Sequence, residues 1–445
     1  MDTQSKTGSL ARKTIFSIVC ASHLVNHFQT SMMAVLFPLL MRDLGIGYLQ
    51  IGMISTLRGM AAQFLQAIYG FVVPYVKRAI ILGTGNIIVG LSVIATGFAS
   101  SYSFVLGTRI FSGLGSSPQH PVGSTMLATH YPEARGRTLA LHTTSGNIGS
   151  LLAPITAGLL LLHVDWRTIF WLVGGISFLT GVPYFLFRDA VRPATPRETL
   201  GGGKRGNAVQ GWEAYKACLK NRNFLVISLV LMVGAAGRGG GVNTTFLVPH
   251  FVNDLKIDVT YAAFLFTLLQ AAGLIAPLLW GWASDRVSRV GTIQVSLLVS
   301  SLSTIWLGWV SSMSVWLLIS LAVYGLAVHS RQSLTQALLS DIVDERSIDA
   351  AFSLYYAIGF FSGPFWTLFT GWMMQTYGFG YAFSVIATGD MATLSYQWRS
   401  NGLPMASETG WTASARHGRN EKNEGCALFY PDVGLKVSTP GGRTL

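Results

Sequence analysis

The chain has 445 residues, of which 50% are hydrophobic and only 11% are charged, with a formal net charge of +12. Soluble proteins carry about 25% charged residues, so this composition excludes a set of ordinary soluble domains and indicates a polytopic membrane protein. The basic residues fall in short segments between apolar runs, where they set membrane topology, so the charge does not predict a nucleic-acid partner. The three cysteines form neither a disulfide framework nor a metal-binding pattern.

Eleven apolar segments are long enough to cross a hydrocarbon core of roughly 30 Å. They are predicted at residues 14–40, 48–74, 79–99, 103–128, 137–162, 166–187, 223–250, 260–283, 291–311, 314–339 and 350–375. Every second connecting segment is basic, and the positive-inside rule therefore predicts a cytoplasmic N-terminus.

A repeat at an offset of 211 residues relates the two halves of the chain. The segment Phe37 to Ile46 aligns with Val248 to Ile257, and Arg78 falls opposite Arg289 without a gap. The sequence therefore predicts one bundle of helices present twice.

The repeat divides the chain into four parts. We expect an N-terminal six-helix bundle at 1–187, a cytoplasmic linker at 188–222 and a C-terminal bundle of five spans plus the start of a sixth at 223–388. Where the repeat predicts a twelfth span, the sequence turns polar after Thr388. For this tail, residues 389–445, we favour a truncated or frame-shifted end without ordered structure over a separate C-terminal domain.

Two six-span halves joined by a basic loop resemble the plan of the major facilitator superfamily, in which parallel repeats of this kind are found. The resemblance implies an all-α membrane protein with a two-bundle fold, here with eleven clear spans and an incomplete twelfth. It also implies a transporter that works by alternating access around a site near the membrane midplane.

Residues 281–289, after the eighth span, resemble the superfamily's G-x-x-x-D-R-x-G-R loop, with Ser288 in place of the later glycine. An ion pair that forms in one conformation and breaks in the other would bias alternating access. Ordinary positive-inside charge is the alternative. The candidates for conformational gating in this loop are Gly281, Asp285, Arg286 and Arg289.

Two further segments resemble superfamily motifs. Arg109 begins an R-x-x-x-G-x-G pattern in the fourth span, which the resemblance links to proton coupling, although a paired structural arginine is the alternative. Gly149 and Pro154 lie in a fifth-span segment similar to the antiporter element, which makes them gating candidates. Ordinary packing of a bent helix explains that segment equally well.

The first span carries Ser22-His23-Leu24-Val25-Asn26-His27, and the fourth carries His120-Pro121. Both are similar to the fosmidomycin-resistance branch of the superfamily. That branch has an acidic residue where this chain has His27, so we do not expect a carboxylate-based proton site in the first span. His23 and His27 lie four residues apart on one helix face, and histidine titrates near physiological pH. A hydrogen-bonded core histidine is the alternative for each.

The ionisable residues predicted within the spans are arginines and histidines, whereas carboxylates fall at loops and span ends. A cavity lined by guanidinium groups favours an anion. The candidate substrate-binding residues are Arg238, which the repeat places opposite His27, and His27, Arg58, Arg331, His23 and Asn26. The candidate proton-coupling residues are Arg109, His23, His27 and His120.

We therefore expect a monomeric multi-pass transporter in the lipid bilayer of the inner membrane, which exports a small anionic or amphiphilic solute in exchange for protons. Uptake or exchange of an anion is the alternative within this class. A non-transporting sensor or assembly component, or an inactive truncated protein, is the alternative outside it. The sequence shows no metal-ligand cluster, nucleophile elbow or phosphate-binding loop, so we expect no enzyme activity, no cofactor and no metal.

Overall fold

The computed structural model describes residues 2–73, 75–131, 135–186, 212–233, 241–329, 331, 334–335, 338–339 and 348–388. Within these ranges the regular elements are all α-helices, as predicted. We number them α1 Asp2–Ser31, α2 Met33–Leu44, α3 Tyr48–Val72, α4 Arg78–Thr96, α5 Tyr102–Ser116, α6 Pro121–His130, α7 Arg135–Leu160, α8 Trp166–Gly181, α9 Pro183–Leu186, α10 Trp212–Lys220, α11 Arg222–Val233, α12 Val242–Asn253, α13 Val259–Arg286, α14 Arg289–Trp309, α15 Val315–Val328, α16 Ile348–Tyr377 and α17 Phe379–Thr388.

Five described helical segments are long and apolar enough to cross a membrane. They are Arg12–Leu44, Arg78–Thr96, Trp166–Leu186, Val259–Arg286 and Arg289–Trp309. Large apolar side chains on these helices are exposed, such as Leu179 at 65% and Leu278 at 74%. Such a surface is stable against lipid and unfavourable in water. The helix α17 begins where the repeat predicts a twelfth span, and the predicted tail at 389–445 lies outside the described residues.

The structure confirms the register of the repeat. The helices α3 and α13 begin at Tyr48 and Val259, which are 211 residues apart. The helices α4 and α14 begin at Arg78 and Arg289, at the same separation. The aligned sequence therefore folds into aligned helices in both halves.

Side-chain caps and a left-handed glycine define several ends of these helices. The first N–H groups of a helix have no partner within it and need an external acceptor. The Asp165 carboxylate accepts from the Thr168 N–H at 2.9 Å, and Asp258 accepts from the Thr260 N–H at 2.9 Å. At the end of α2, Gly45 takes the left-handed conformation with φ of 62°, which favours glycine.

Asp43, near the end of α2, ties the first span to α8. Its carboxylate accepts a hydrogen bond from the Trp166 indole at 2.7 Å, and it pairs with Arg42 at 2.8 Å and Arg167 at 3.7 Å. These contacts hold the end of α2 against the start of α8.

The two halves are joined at the end of the molecule that carries the α2–α3 and α12–α13 turns. The Tyr48 hydroxyl donates to the Asp254 carboxylate at 2.9 Å, and the Thr260 hydroxyl donates to the Gly158 carbonyl at 3.2 Å. The absent side chain of Gly371 lets α16 approach α3, because a Cβ there would lie 2.9 Å from the Tyr48 carbonyl oxygen. The pairs α2–α12, α3–α16 and α7–α13 therefore close this end.

The fourth span is interrupted between α5 and α6, at residues 117–120, and a buried polar network holds the interruption in place. The Gln119 amide donates to Asn86 at 2.7 Å and lies 3.4 Å from the Ser22 hydroxyl. Ser22 also hydrogen-bonds Tyr184 at 2.8 Å. Interrupted helices at membrane depth persist where protein or a cavity satisfies their polar groups. The break places His120 beside the first span.

Candidate functional site

Four histidines from three spans converge in the N-terminal half. One ring nitrogen from each of His23, His27 and His120 lies within 4.8 Å of the other two. The His142 ring of α7 stacks on the His23 ring with centroids 3.9 Å apart. The sequence predicts the His23–His27 pair, but it does not predict that His120 and His142 approach it. The expectation that the protein binds no metal stays a prediction.

Hydrogen bonds fix the orientation of two of these rings. The Nδ1 atom of His23 lies 2.8 Å from the His142 backbone oxygen, and Nδ1 of His27 lies 3.2 Å from the Ser150 hydroxyl. Because a carbonyl only accepts, Nδ1 of His23 carries the proton and Nε2 carries the lone pair. That Nε2 atom is buried and has no hydrogen-bond partner among the described residues.

The imidazole of His120 is exposed although it lies at the interruption of the fourth span. Its ring centroid lies 5.0 Å from that of His23 and 5.6 Å from that of His27. The exposed imidazole of His120 therefore gives a solute access to the cluster.

Two guanidinium groups, from α3 and α5, donate to neutral acceptors on the first span. Arg58 donates to the Thr30 hydroxyl at 2.7 Å. Both Nη atoms of Arg109, which is 1% exposed, donate to the Gln29 side-chain oxygen at 3.3 and 3.4 Å. Among the described residues, neither guanidinium pairs with a carboxylate. Arg109 is therefore buried, and Arg58 half-buried, without a carboxylate partner in the part of the chain that the structure describes.

One face of α1 links the imidazoles to the guanidiniums. His23, Asn26, His27 and Thr30 recur at intervals of three and four residues, the spacing that places side chains on one side of a helix. The Asn26 side-chain nitrogen is buried and has no hydrogen-bond partner among the described residues. This face presents unsatisfied donors, lone-pair nitrogens and nearby positive charge, which are the groups that bind a small polar ligand.

Close packing of α7 on α1 supports that face. A Cβ atom at Gly149 would overlap the Leu24 carbonyl oxygen, and a Cβ at Gly146 would lie 2.7 Å from His23 and 2.9 Å from His27. Pro154 is buried within α7. Gly149 therefore sets how closely the two helices approach, and Gly146 leaves room for the two rings.

The predicted gating loop lies at the α13–α14 junction. Asp285 pairs with Arg289 at 3.3 Å across this junction, and the Arg286 guanidinium lies 4.2 Å above the Trp282 ring. The Asp285 side chain is 68% exposed, so this pair contributes little stability in the described conformation. A Cβ at Gly281 would meet no atom within 4 Å. Gating by this loop stays a prediction.

The remaining predicted site arginines lie in the C-terminal half. Arg331 is 1% exposed and donates to the Ser300 hydroxyl of α14 at 2.9 Å. Arg238 lies outside the described residues. Their predicted contact with substrate stays a prediction.

Comparison with known proteins identifies the family. The model of the Major Facilitator Superfamily matches residues 19–273 and 230–389. The fosmidomycin resistance protein of Escherichia coli is 26% identical over 159 residues, which are 36% of this chain and 39% of that protein. A probable sulfoacetate transporter of Cupriavidus necator is 23% identical over 293 residues, covering 64% of this chain and 68% of that protein.

Solved structures show the same fold. A bacterial homolog of the human lysosomal transporter Spinster, in an inward-facing and unoccupied conformation, superposes with a TM-score of 0.71 at 15% identity, covering 88% of this chain and 96% of that chain. The two-bundle helical fold and the multi-pass membrane location agree with this comparison. The chain belongs to the Major Facilitator Superfamily of membrane transporters.

Proposed function

We propose that the protein is a secondary transporter that moves a small anionic or amphiphilic solute across the inner membrane by proton-coupled alternating access. The observation that carries the proposal is the pair of guanidinium groups, Arg58 and Arg109, whose hydrogen-bond partners on α1 are the uncharged Thr30 and Gln29.

Electrostatics favours an anion at this site. A charge removed from water without a counter-charge costs several kcal/mol even after relaxation, and neutral oxygen partners recover only part of that cost. A carboxylate, sulfonate or phosphonate would supply the missing charge, and a guanidinium matches the paired oxygens of these groups. The similarity to a probable sulfoacetate transporter supports an organic anion as the substrate.

The closed end of the molecule supports an assignment of conformation. If the basic N-terminus is cytoplasmic, as the positive-inside rule predicts, the turn between α2 and α3 lies on the outer side. The contacts of Tyr48 with Asp254 and of Thr260 with Gly158 then close the outer side. The site on α1 would open toward the cytoplasm in this conformation.

The direction of transport separates two candidate functions. Similarity to the fosmidomycin resistance protein supports efflux, in which protons and substrate use the site alternately. The proximity of His27 to the Arg58–Thr30 contact on one face of α1 favours uptake as the second candidate. A protonated imidazole there would strengthen anion binding, so that proton and anion would move together.

The test is transport by the purified protein in liposomes, with labelled carboxylates, sulfonates and phosphonates and a pH gradient of either sign. We expect saturable flux of at least one anion class. The variant Arg58→Gln should lower that flux about 10-fold to 100-fold, because a hydrogen bond to a charged group contributes about 1.5–3 kcal/mol.

The matched control is Arg42→Gln, which removes a guanidinium that is 71% exposed at the closed end. It should keep the flux of the parent protein. Accumulation of the anion driven by an inward proton gradient would identify uptake, and extrusion of the anion under the same gradient would identify efflux. Equal flux in the Arg58 and Arg42 variants, or flux of cations only, would contradict the assignment of an anion site.

A further inference from the structure

We propose that His23, His27 and His120 form a binding site for a divalent transition-metal ion between the first and fourth spans. The proposal goes beyond anion transport and does not depend on it, because it rests on the arrangement of the imidazoles and not on the guanidinium groups.

The three ring nitrogens lie close enough together to reach one metal ion after small ring rotations. One nitrogen from each ring lies within 4.8 Å of the other two, whereas tetrahedral coordination at a Zn–N distance of about 2.0–2.1 Å places ligand nitrogens about 3.3 Å apart. The χ2 torsion of histidine is soft, so small ring rotations close the difference. Three imidazoles from two neighbouring spans are a ligand set that suits Zn²⁺, Ni²⁺, Co²⁺ and Cu²⁺.

The hydrogen bonds around the cluster prepare two of the rings for coordination. A metal-binding histidine generally donates its second N–H to an oxygen, which fixes the tautomer and the ring orientation. Here Nδ1 of His23 donates to the His142 carbonyl at 2.8 Å, and Nδ1 of His27 lies 3.2 Å from the Ser150 hydroxyl. The Nε2 atom of His23 is buried without a hydrogen-bond partner among the described residues, at an energetic cost that a metal would remove.

Further contacts shape the site and leave it accessible. The His142 ring stacks on His23 with an interplanar angle of 22° and supports it from the side. Gly146 faces both His23 and His27, and any larger residue would push the two rings. The exposed imidazole of His120 gives an ion a route to the cluster.

The charge balance determines what completes the coordination. Three neutral imidazoles leave the charge of a divalent ion uncompensated and leave a fourth position open. The guanidinium of Arg58, which contacts Thr30 one turn beyond His27, disfavours a bare cation. An anionic fourth ligand, such as hydroxide or a carboxylate, would offset this repulsion. It would be attracted by both the metal ion and the Arg58 guanidinium.

The test measures Co²⁺ binding to the full-length protein, purified in detergent through a tag that contains no histidine. Tetrahedral Co²⁺ gives intense visible absorption bands, so the spectrum reports both stoichiometry and geometry. We expect one Co²⁺ per chain, displaced by Zn²⁺, and loss of the bands in His27→Ala. The control His163→Ala removes an exposed histidine in the α7–α8 connection and should bind as the parent does.

A second pair of variants leaves all ligands in place. Gly146→Ala should weaken Co²⁺ binding by about 10-fold or more, in the range seen when outer-shell support of a ligand is lost. Gly123→Ala is the control, because a Cβ there would meet Val19 and His142 at an ordinary 3.6–3.7 Å. Absence of the bands in the parent protein, or equal Co²⁺ binding by all four variants, would overturn the proposal. Either result would leave the anion-transport measurements unaffected.

Discussion

The contact between Tyr48 and Asp254 is expected to bias the conformational equilibrium, because it joins the two halves at their closed end. The Tyr48 hydroxyl donates to the Asp254 carboxylate at 2.9 Å, and His250 holds the same carboxylate at 2.7 Å. The His250 ring also stacks on Phe379 with centroids 3.5 Å apart. The variant Tyr48→Phe removes one donor and leaves the rest of this arrangement in place.

The size of the effect follows from the exposure of the carboxylate. A hydrogen bond to a charged group contributes about 1.5–3 kcal/mol when it is shielded from water. The Asp254 side chain is 41% exposed, so water replaces part of the interaction and about 1 kcal/mol remains. That free energy shifts the equilibrium between the closed and open states of this end about fivefold.

Distance distributions between spin labels at His163 and Lys256 measure this equilibrium, because the two residues lie in connections of opposite halves at the closed end. The native cysteines are first replaced by serine. We expect Tyr48→Phe to increase the population with the longer separation about fivefold. The control Tyr261→Phe removes a hydroxyl from a ring that is 61% exposed at the same end and should change nothing. Identical distributions in Tyr48→Phe and the parent would refute the reasoning.

Two further predictions concern stability. Gly149→Ala should destabilise the protein by about 1–3 kcal/mol, as overpacking does, because the new Cβ overlaps the Leu24 carbonyl oxygen. Thermal unfolding should therefore show a lower Tm for this variant. The control Gly107→Ala should keep the Tm of the parent, because its new Cβ meets no atom within 4 Å. Asp43→Asn should lower the Tm near neutral pH, because an amide carries no charge to pair with Arg42 and Arg167 and accepts a weaker hydrogen bond from the Trp166 indole. A Tm equal to that of the parent would contradict the role assigned to the Trp166 and arginine contacts.

Much of the fold could be predicted from the sequence, because its signals are local or periodic. The repeat at an offset of 211 residues predicts the starts of α13 and α14 from those of α3 and α4, and the structure has them at those residues. The length and hydropathy of the apolar runs indicate membrane spans, since the bilayer imposes both. The motif resemblances predict the superfamily, which the family model confirms.

The site could be predicted only in part. The sequence identified His23, His27 and His120 as candidates, and helical periodicity places the first two on one face. It could not show that His120 and His142 approach them, because these residues are about a hundred positions away along the chain. Interhelical distances of that kind depend on glycines such as Gly149, whose effect appears only when two helices pack.

The sequence by itself determined that this is a membrane protein built from a duplicated bundle, with cationic and imidazole side chains inside its spans. Only the tertiary structure decided their partners. It gave Arg58 and Arg109 neutral oxygens from α1 and brought the imidazoles of three spans together. The physical reason is that hydropathy and periodicity act along one helix, whereas the compensation of a buried charge and the meeting of ligand nitrogens depend on which helix faces touch.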